Sequence, residues 1–216
     1  MTEALPLVGI VGGTGPQGRG LALRLSAGGV DIVLGSRSHD RAQECAAALG
    51  RGVRAATNED CVRAAGVVVL AVPWEGHQHT VAALAGDLNG KILVDCVNPL
   101  GFDAHGAFPL RVEEGSAAQQ AQALAPGATV VGAFHHLSAV TLLDEDVASV
   151  DSDVLVLGDD RAATDLVRVI AARIAGCRGI YAGRLRNAGQ VEALTANLIA
   201  VNRRYKAHAG VRITDV

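Results

Sequence analysis

Short runs of apolar residues alternate with stretches of helical periodicity along most of the chain. Residues 7–11 form an apolar run that ends in glycines, after which Leu21, Ala22 and Leu25 recur at helical spacing. This pattern predicts a strand, a glycine-rich turn and a helix near the N-terminal end. The alternation continues with strands expected at 31–35, 67–72, 92–97 and 128–133, and with helices at 40–49, 76–84 and 116–124.

Strands that alternate with helices are joined by right-handed crossovers and form a parallel sheet covered on both faces. We therefore predict an α/β fold, with a Rossmann-type doubly wound parallel sheet in a domain of residues 1–150. A smaller C-terminal α/β domain is expected at 151–216, with strands at 154–157 and near Ile180 and helices at 161–174 and 187–206. Residues 101–115 lack a clear period, which predicts a loop.

A phosphate-binding motif occupies the first turn. Gly13-Thr14-Gly15-Pro16-Gln17-Gly18 fits G-x-G-x-x-G, directly after the first strand and at the start of the first helix. In this motif Gly13 is expected to allow the tight turn, Gly15 to let the backbone approach a pyrophosphate, and Gly18 to let helix and strand pack closely. Free N–H groups at the helix start would face the anion. The alternative is a glycine-rich turn without a ligand.

The end of the second strand indicates which dinucleotide is bound. NAD-specific domains carry an acidic residue there, roughly 20 residues past the glycines, which accepts hydrogen bonds from the ribose 2′-OH. This chain has Gly35-Ser36-Arg37 instead, and Arg41 follows one helical turn later. Two guanidinium groups and a hydroxyl suit the 2′-phosphate of NADP(H), which a carboxylate would repel. Alternatively, Arg37 and Arg41 are ordinary solvated residues at a helix start.

Three more segments follow strands at the carboxyl edge of the expected sheet, where open α/β sheets bind ligands. Trp74 could border the nicotinamide or pack under a loop, and Asn98 could bond nicotinamide or ribose or close a turn. His135 could polarise a bound ring. We predict that these three residues position a ring, and we assign no certain catalytic residue, because the chain contains no Ser-His-Asp arrangement and no G-x-S-x-G elbow.

Composition narrows the possible partners. Half of the residues are apolar and only 3% are aromatic, as in parallel sheets covered by helices, and the net charge of −3 predicts no attraction to nucleic acid or membrane. The four cysteines are far apart, without a C-x-x-C pair, so no metal site is expected. Residues 1–6 carry neither a basic stretch nor a long apolar run, and we therefore expect a soluble, cytoplasmic protein.

Taken together, these segments resemble the F420-dependent NADP oxidoreductase family. The resemblance extends along nearly the whole chain, and its motifs are residues 12–22, 35–37, 72–75, 158–160 and 202–206. It implies direct hydride exchange between C4 of the nicotinamide of NADP(H) and C5 of the deazaflavin coenzyme F420, with both rings stacked in one cleft. Such a protein mainly positions two rings, so a separate catalytic acid or base is not required.

The resemblance also implies a role for individual residues. The pyrophosphate loop would be residues 14–17, the 2′-phosphate would meet Ser36, Arg37 and Arg41, and Ala139 would lie near the nicotinamide together with Trp74 and Asn98. Residues 151–216 would complete the deazaflavin pocket around 207–211, which contains Ala209 and Gly210.

Two features of the C-terminal part allow more than one interpretation. The resemblance implies a homodimer. The last helix carries an apolar stripe at Val191, Leu194, Leu198 and Val201, which could form the interface of that dimer or pack within the subunit. A set of cations could hold the phosphodiester and glutamates of the F420 tail, or could simply be solvated at a helix end where the dipole favours them. These cations are Arg184, Arg186, Arg203, Arg204 and Lys206.

Three other functions remain open at this point. The protein could be a relative of this family that reduces an ordinary flavin, or ferric iron through a flavin, since a related domain does so in membrane metalloreductases. A non-catalytic NADP(H) sensor would keep the phosphate site and need no second ring. A dehydrogenase of a small carbonyl or imine compound would need a Lys or Tyr proton donor in the cleft, and only Tyr181 and Lys206 are remotely eligible.

Overall fold

The computed structural model describes residues 5–216, so residues 1–4, which belong to the segment expected to lack a targeting signal, lie outside it. The strands are β1 (Val8–Val11), β2 (Ile32–Ser36), β3 (Arg54–Thr57), β4 (Val67–Leu70), β5 (Ile92–Asp95), β6 (Leu100–Asp103), β7 (Gly106–Pro109), β8 (Thr129–Gly132), β9 (Asp153–Gly158) and β10 (Arg178–Gly183). The α-helices are α1 (Pro16–Ala27), α2 (His39–Leu49), α3 (Asn58–Ala64), α4 (Trp74–Leu84), α5 (Ala117–Leu124), α6 (Ala139–Leu143), α7 (Arg161–Ala171) and α8 (Ala188–Tyr205).

Eight strands form one sheet in the order β10-β9-β8-β5-β4-β1-β2-β3. From β3 to β8 all neighbours are parallel, whereas β9 runs antiparallel to β8 and β10 runs parallel to β9. The predicted α/β class with a Rossmann-type sheet is confirmed. The strands of the C-terminal segment extend this same sheet, and a division into domains at residue 150 stays a prediction.

The sheet is buried on both faces, because helices cover it on each side. Val67 and Val69 of β4 belong to a core that contains residues of α1, α2, α6 and α7. Val68 and Leu70 point the other way, into a core with residues of α3, α4 and α5. No helix within residues 5–216 has both the length and the apolar character required to cross a membrane.

The expected loop at 101–115 is instead partly a hairpin, so that prediction was wrong. Strands β6 and β7 pair antiparallel, with Leu100 opposite Pro109 and Phe102 opposite Ala107. Each strand has four residues, too few to show a period of two, and each contains a glycine. A Cβ on Gly101 would lie 2.5 Å from the Phe108 ring, so the ring occupies the space that the glycine leaves free.

The prediction also omitted β3 and α3, which follow α2. The strand has only four residues, and Arg54 at its start is exposed. The helix is seven residues long and begins at a cap in which the Thr57 side chain accepts a hydrogen bond from the N–H of Asp60. Elements this short carry a local capping signal but too little periodicity to be recognised.

One buried carboxylate holds the C-terminal segment against the start of β9. Asp153 accepts hydrogen bonds from the Arg178 guanidinium at 2.8 and 2.7 Å, from Nη1 of Arg212 at 2.8 Å and from the N–H of Ile213 at 2.7 Å. Its own N–H donates to the carbonyl of Val211 at 2.6 Å. The hydrogen bonds from Arg178, and then from the backbone and Arg212, hold the pKa of Asp153 well below its usual range.

Asp153→Asn should therefore destabilise the protein by roughly 2–3 kcal/mol, because Arg178 and Arg212 lose the charge that compensates them. A depressed pKa in the folded state means that this stability is present above the pKa of the unfolded carboxyl and is lost as the pH falls. The wild type should consequently lose stability in acid more steeply than the variant. Urea unfolding followed by circular dichroism at several pH values measures both effects.

Asp151→Asn is the matched control, because Asp151 also pairs with Arg212 but its side chain is 85% exposed. Exposed ion pairs contribute about 0–1 kcal/mol, so this variant should unfold almost like the wild type. If the two variants were equally destabilised, Asp153 would not be the residue that holds the segment.

Candidate functional site

The glycine-rich turn joins β1 to α1, and its left-handed residue is Gly12, with φ of +72°. Gly13, where the tight turn was expected, lies within this turn but does not adopt the left-handed conformation. Gly13 instead packs against β2: a Cβ there would lie 2.5 Å from Cδ2 of Leu34, and its N–H donates to the carbonyl of Gly35 at 2.9 Å. The turn is thereby tied to the end of the neighbouring strand.

The other two glycines of the motif differ in their surroundings. A Cβ on Gly18 would lie 2.7 Å from the Cα of Gly13, so this glycine allows the helix to pack closely on the turn. A Cβ on Gly15 would meet only the carbonyl oxygen of Gly12, at 3.4 Å. The outer side of Gly15 is therefore open to the approach of a ligand.

Two helices that begin beside this turn have no side-chain cap. Gly15 precedes α1, Pro73 precedes α4, and neither position has a side chain that bonds the first turn. By contrast, α2, α3, α5, α6 and α7 each have a Ser, Thr or Asp cap. The first N–H groups of a helix have no partner within the helix, so α1 presents free donors and the positive end of its dipole.

The residues predicted to bind the 2′-phosphate lie at the end of β2. Ser36 is its last residue and is buried, and its Oγ accepts a hydrogen bond from the N–H of Ser38 at 3.2 Å. Arg37 and Arg41 are both exposed, and neither forms an ion pair with a carboxylate among residues 5–216. These guanidinium groups are therefore free to meet an anion at the surface.

A cavity of about 470 Å³ opens at the carboxyl edge of the sheet, where the strand order reverses between β1 and β4. Its wall is formed by the starts of α1, α4 and α6, by the turn after β5 and the segment after β8, and by one side of α8. The residues that line it are Gly15, Pro16, Gln17, Ala71, Val72, Pro73, Trp74, Cys96, Val97, Asn98, His135, His136, Leu137, Ser138, Ala139, Thr195, Leu198, Ile199, Asn202 and Ala209.

The cavity brings together part of the predicted site. Eight of the predicted residues line it: Gly15, Pro16, Gln17, Trp74, Asn98, His135, Ala139 and Ala209. Gly13, Thr14 and Gly18 lie in the turn and first helix behind it, and Ser36, Arg37 and Arg41 lie one strand away. Gly210 does not line the cavity, because it packs against the chain at Asp151, whose carbonyl oxygen would be 2.7 Å from a Cβ.

The side-chain amide of Asn98 has one hydrogen-bonded atom and one atom without a partner among the described residues. Its Nδ2 donates to the carbonyl of His135 at 2.7 Å, and Thr195 of α8 donates to the same carbonyl at 3.1 Å. The Oδ1 atom of Asn98 is buried and has no hydrogen-bond partner among the described residues. An unpaired buried acceptor costs free energy unless a ligand or water donates to it, so Asn98 is suited to receive an N–H.

The two histidines after β8 are buried and neutral. Burial, opposed by nearby Asp95, lowers the pKa of His135 to about 4, and burial also lowers the pKa of His136. His136 donates from Nε2 to the carbonyl of Asp153 at 2.6 Å. Both ring nitrogens of His135 are unpartnered among the described residues, and Nε2 lies over Gly132 of β8. The His135 ring thus borders the cavity from within the core.

Several lining residues were not found from the sequence. Thr195, Ile199 and Asn202 lie on α8, whose apolar stripe had been considered only as packing or as an interface.

Two contacts that support the glycine-rich turn were also not indicated by the sequence. The predicted residue Gln17 contacts the segment after β8, since its Nε2 donates to the carbonyl of Phe134 at 3.3 Å. Asn58 of α3 accepts from the N–H of Gly12 at 3.3 Å. These contacts join elements distant along the chain, so no local pattern indicates them.

Comparisons with known proteins identify the family. Residues 7–99 match the family model described as NADP oxidoreductase, coenzyme F420-dependent. The F420-dependent NADP reductase of Methanothermobacter thermautotrophicus is 36% identical over 97% of this chain and 95% of its own length, and that of Methanocaldococcus jannaschii is 37% identical over 97% and 98%. The chain belongs to the F420-dependent NADP oxidoreductase family.

A solved structure agrees with this family assignment. A crystal structure from Arthrobacter sp. FB24, provisionally described as an F420-dependent NADP-reductase, superposes with a TM-score of 0.80. It is 26% identical and covers 97% of this chain and 99% of its own. The architecture described above is therefore shared over almost the full length of both chains.

Below the cavity of this family member lies a buried cluster of charged and polar groups. His77 of α4 contacts Oδ2 of Asp95 through Nε2 at 2.7 Å and Oε1 of Gln120 through Nδ1 at 2.9 Å. Both partner atoms are acceptors, an arrangement that favours the form of the ring in which both nitrogens carry hydrogen. Burial opposes the charge, but Asp95 and Gln120 raise the pKa of His77 above its ordinary value.

This cluster fixes the wall of the cavity. The second oxygen of Asp95 accepts from the N–H of Val97 at 2.9 Å, which holds the turn that carries Asn98. The His77 ring packs against Trp74, with ring centroids 5.3 Å apart. Trp74 therefore both lines the cavity and covers the cluster.

Glu192 joins α8 to the same region. It is 2% exposed, and its carboxylate accepts from the N–H groups of Ala117 at 2.9 Å and Ala118 at 3.2 Å, at the start of α5. An anion is favoured at a helix N-terminus. Burial nevertheless outweighs these bonds and raises the pKa of Glu192 to about 7.

Ionisation of Glu192 should make the protein less stable as the pH rises. Its folded-state pKa of about 7 lies above the ordinary value of 4.5, so the stability it contributes is complete in acid and is lost as the pH rises from 4.5 through 7. Glu192→Gln cannot ionise and should remove on the order of 2–3 kcal/mol of this pH dependence. The measurement is the difference between the urea-unfolding free energies of variant and wild type at each pH.

Because the variant and the wild type share every other titratable group, the difference profile reports on Glu192. Glu113→Gln is the control, since Glu113 is exposed and precedes α5, the helix whose start Glu192 contacts. Its difference profile should be flat. A flat profile for Glu192→Gln as well would show that the carboxylate is already ionised in moderate acid.

Proposed function

We propose that this protein transfers a hydride between NADP(H) and the deazaflavin coenzyme F420 in the cavity above the sheet. The observation that carries the proposal is the character of the wall. Of the described residues that line the cavity, none is Lys, Arg, Tyr, Asp or Glu, and its two histidines are neutral. An uncharged pocket joined to a phosphate-binding turn suits two stacked rings better than acid–base chemistry on a small substrate.

The residues present fit the phosphates of NADP(H). The uncapped start of α1 offers free N–H groups to a pyrophosphate, and Gly15 leaves room for its approach. The hydrogen bond between Gly13 and Gly35 places the turn beside the end of β2, one strand spacing of about 4.8 Å away. Ser36, Arg37 and Arg41 would then meet the 2′-phosphate of the adenosine half.

The nicotinamide end would lie against Trp74, Asn98 and Ala139. The unpaired Oδ1 of Asn98 would accept an N–H of the carboxamide, which fixes the ring in one orientation. His135 supports this arrangement through its carbonyl, which holds the amide of Asn98 in place. Ala139 begins α6, and Arg24 fixes the far end of that helix by donating to the carbonyls of Thr141 and Leu142 at 2.9 and 2.8 Å.

The deazaflavin ring would occupy the side of the cavity formed by α8 and the C-terminal segment, at Leu198, Ile199 and Ala209. With both coenzymes bound, the nicotinamide would supply a hydride from its C4 to C5 of the deazaflavin, whose N1 would take up a proton from solvent. The protein contributes by holding the two rings in contact and excluding water between them. The homodimer and the cytoplasmic location expected from the sequence remain predictions.

The same wall argues against a dehydrogenase of a carbonyl or imine compound, for which Tyr181 and Lys206 were the eligible proton donors. Tyr181 lies in β10 and lines a different cavity, at the far edge of the sheet, and Lys206 follows α8 outside the lining. Neither side chain is part of the proposed ring site.

Steady-state oxidation of NADPH with F420, FMN or FAD as the acceptor tests the proposal. We expect rapid turnover with F420, seen as loss of the deazaflavin absorbance, and little or none with the flavins. Rapid turnover with FAD and none with F420 would instead indicate a flavin or ferric reductase. Failure of the NADP complex to bind any of the three would indicate a sensor.

Arg37→Ala should raise KM for NADPH far more than for NADH. The loss of a charge-assisted contact to the 2′-phosphate costs on the order of 1.5–3 kcal/mol, and NADH has no such group. Initial rates measured with each nucleotide give the ratio of the variant's KM to the wild-type KM, once for NADPH and once for NADH. Arg54→Ala is the control, because Arg54 is equally exposed at the opposite end of the neighbouring strand β3. Equal effects on both nucleotides would contradict the assignment.

A further inference from the structure

A second cavity adjoins the first along α8. It has a volume of about 430 Å³ and lies between the tip of the β6–β7 hairpin and the C-terminal half of the helix. It is lined by His105, Gly106, Ala107, Ile199, Ala200, Arg203 and Arg204. Ile199 lines both cavities, and Asn202 of the first precedes Arg203 of the second. The two cavities are thus neighbours on one helix.

The second cavity differs from the first in charge. Arg203 and Arg204 are exposed, and neither forms an ion pair with a carboxylate among residues 5–216. The acidic side chain of the hairpin, Asp103, is bonded within the turn, where it accepts from the N–H groups of His105 and Gly106 at 2.7 and 3.1 Å. The cationic groups of this cavity are therefore available to an external anion.

The structure separates the basic residues that the sequence groups together. Arg184 lies at the carboxyl ends of β9 and β10, where Nη1 is 3.5 Å from Asp159 and the side chain lines another cavity. Arg203 and Arg204 line the cavity that adjoins the proposed ring site. Ile199 and Arg203 are four residues apart, about 6 Å along the helix axis, a distance that the polyol chain of a flavin-type coenzyme spans.

We infer that the cavity between the hairpin and α8 binds the anionic tail of the deazaflavin coenzyme, with its phosphodiester and carboxylates at Arg203 and Arg204. This inference rests on the proposed function. The ring enters the uncharged cavity, the tail passes Ile199, and the hairpin forms the outer wall of the tail site. Recognition of the ring and recognition of the tail are thereby assigned to two different parts of one helix.

The test compares F420 with the same deazaflavin carrying only its ribityl chain, in an Arg203→Ala/Arg204→Ala variant. KM for F420 should rise roughly tenfold, since two exposed charge pairs are lost. The variant's KM for the tail-less acceptor and its KM for NADPH should remain within about twofold of the wild-type values. Added sodium chloride should raise KM for F420 in the wild type and much less in the variant.

Two further variants complete the experiment. Arg203→Lys/Arg204→Lys keeps both charges and should retain most of the preference for F420. Arg63→Ala/Arg161→Ala removes two exposed charges on α3 and α7, away from both cavities, and should change neither KM. This control shows whether net charge alone accounts for the effect.

The outcomes distinguish the two proposals. If the wild type oxidised NADPH with neither deazaflavin, the proposed function itself would fail. If it used both with equal KM, or if the alanine variant impaired both equally, hydride transfer would stand and the tail site would be wrong. A change in sedimentation of the alanine variant, with an unchanged preference for F420, would place these arginines in an interface between subunits and would also overturn the inference.

Discussion

Each part of the candidate site depends on the point where the strand order reverses, between β1 and β4. Chains leaving these two strands must diverge to opposite faces of the sheet, so the backbone cannot fill the space between them. Gly15 and Pro73 line this space, and neither caps the helix that follows it with a side chain. The free donors of α1 therefore lie beside the open cavity.

Charge is distributed around this space rather than within it. The ionisable groups closest to the cavity are kept neutral by burial, as for His135, or are paired below its wall, as for His77 with Asp95. Unpaired cations lie at the two ends, Arg37 beyond β2 and Arg203 beside the hairpin. A neutral centre with cationic ends matches a pair of stacked rings whose phosphates extend in different directions.

The sequence predicts the sheet and the glycine-rich turn well because both depend on local patterns. The first turn is readable since spacing, strand and helix coincide within residues 8–18, although Gly12 rather than Gly13 adopts the left-handed conformation. The hairpin was missed because four-residue strands with glycines show no period. His77 illustrates a different limit: its isolated position on α4 predicts nothing, and only the fold brings it to Asp95 and Gln120.

The last helix shows why a periodic stripe alone does not reveal a binding site. Its apolar positions looked equivalent in the sequence, but Val191 is buried, Leu198 lines the cavity and Val201 is 38% exposed. Because Glu192 anchors the start of α8 to α5 and the hairpin covers its end, the helix must cross the mouth of the cavity. The central part of the stripe therefore lines the cavity, and its positions differ in burial although they share one helix face.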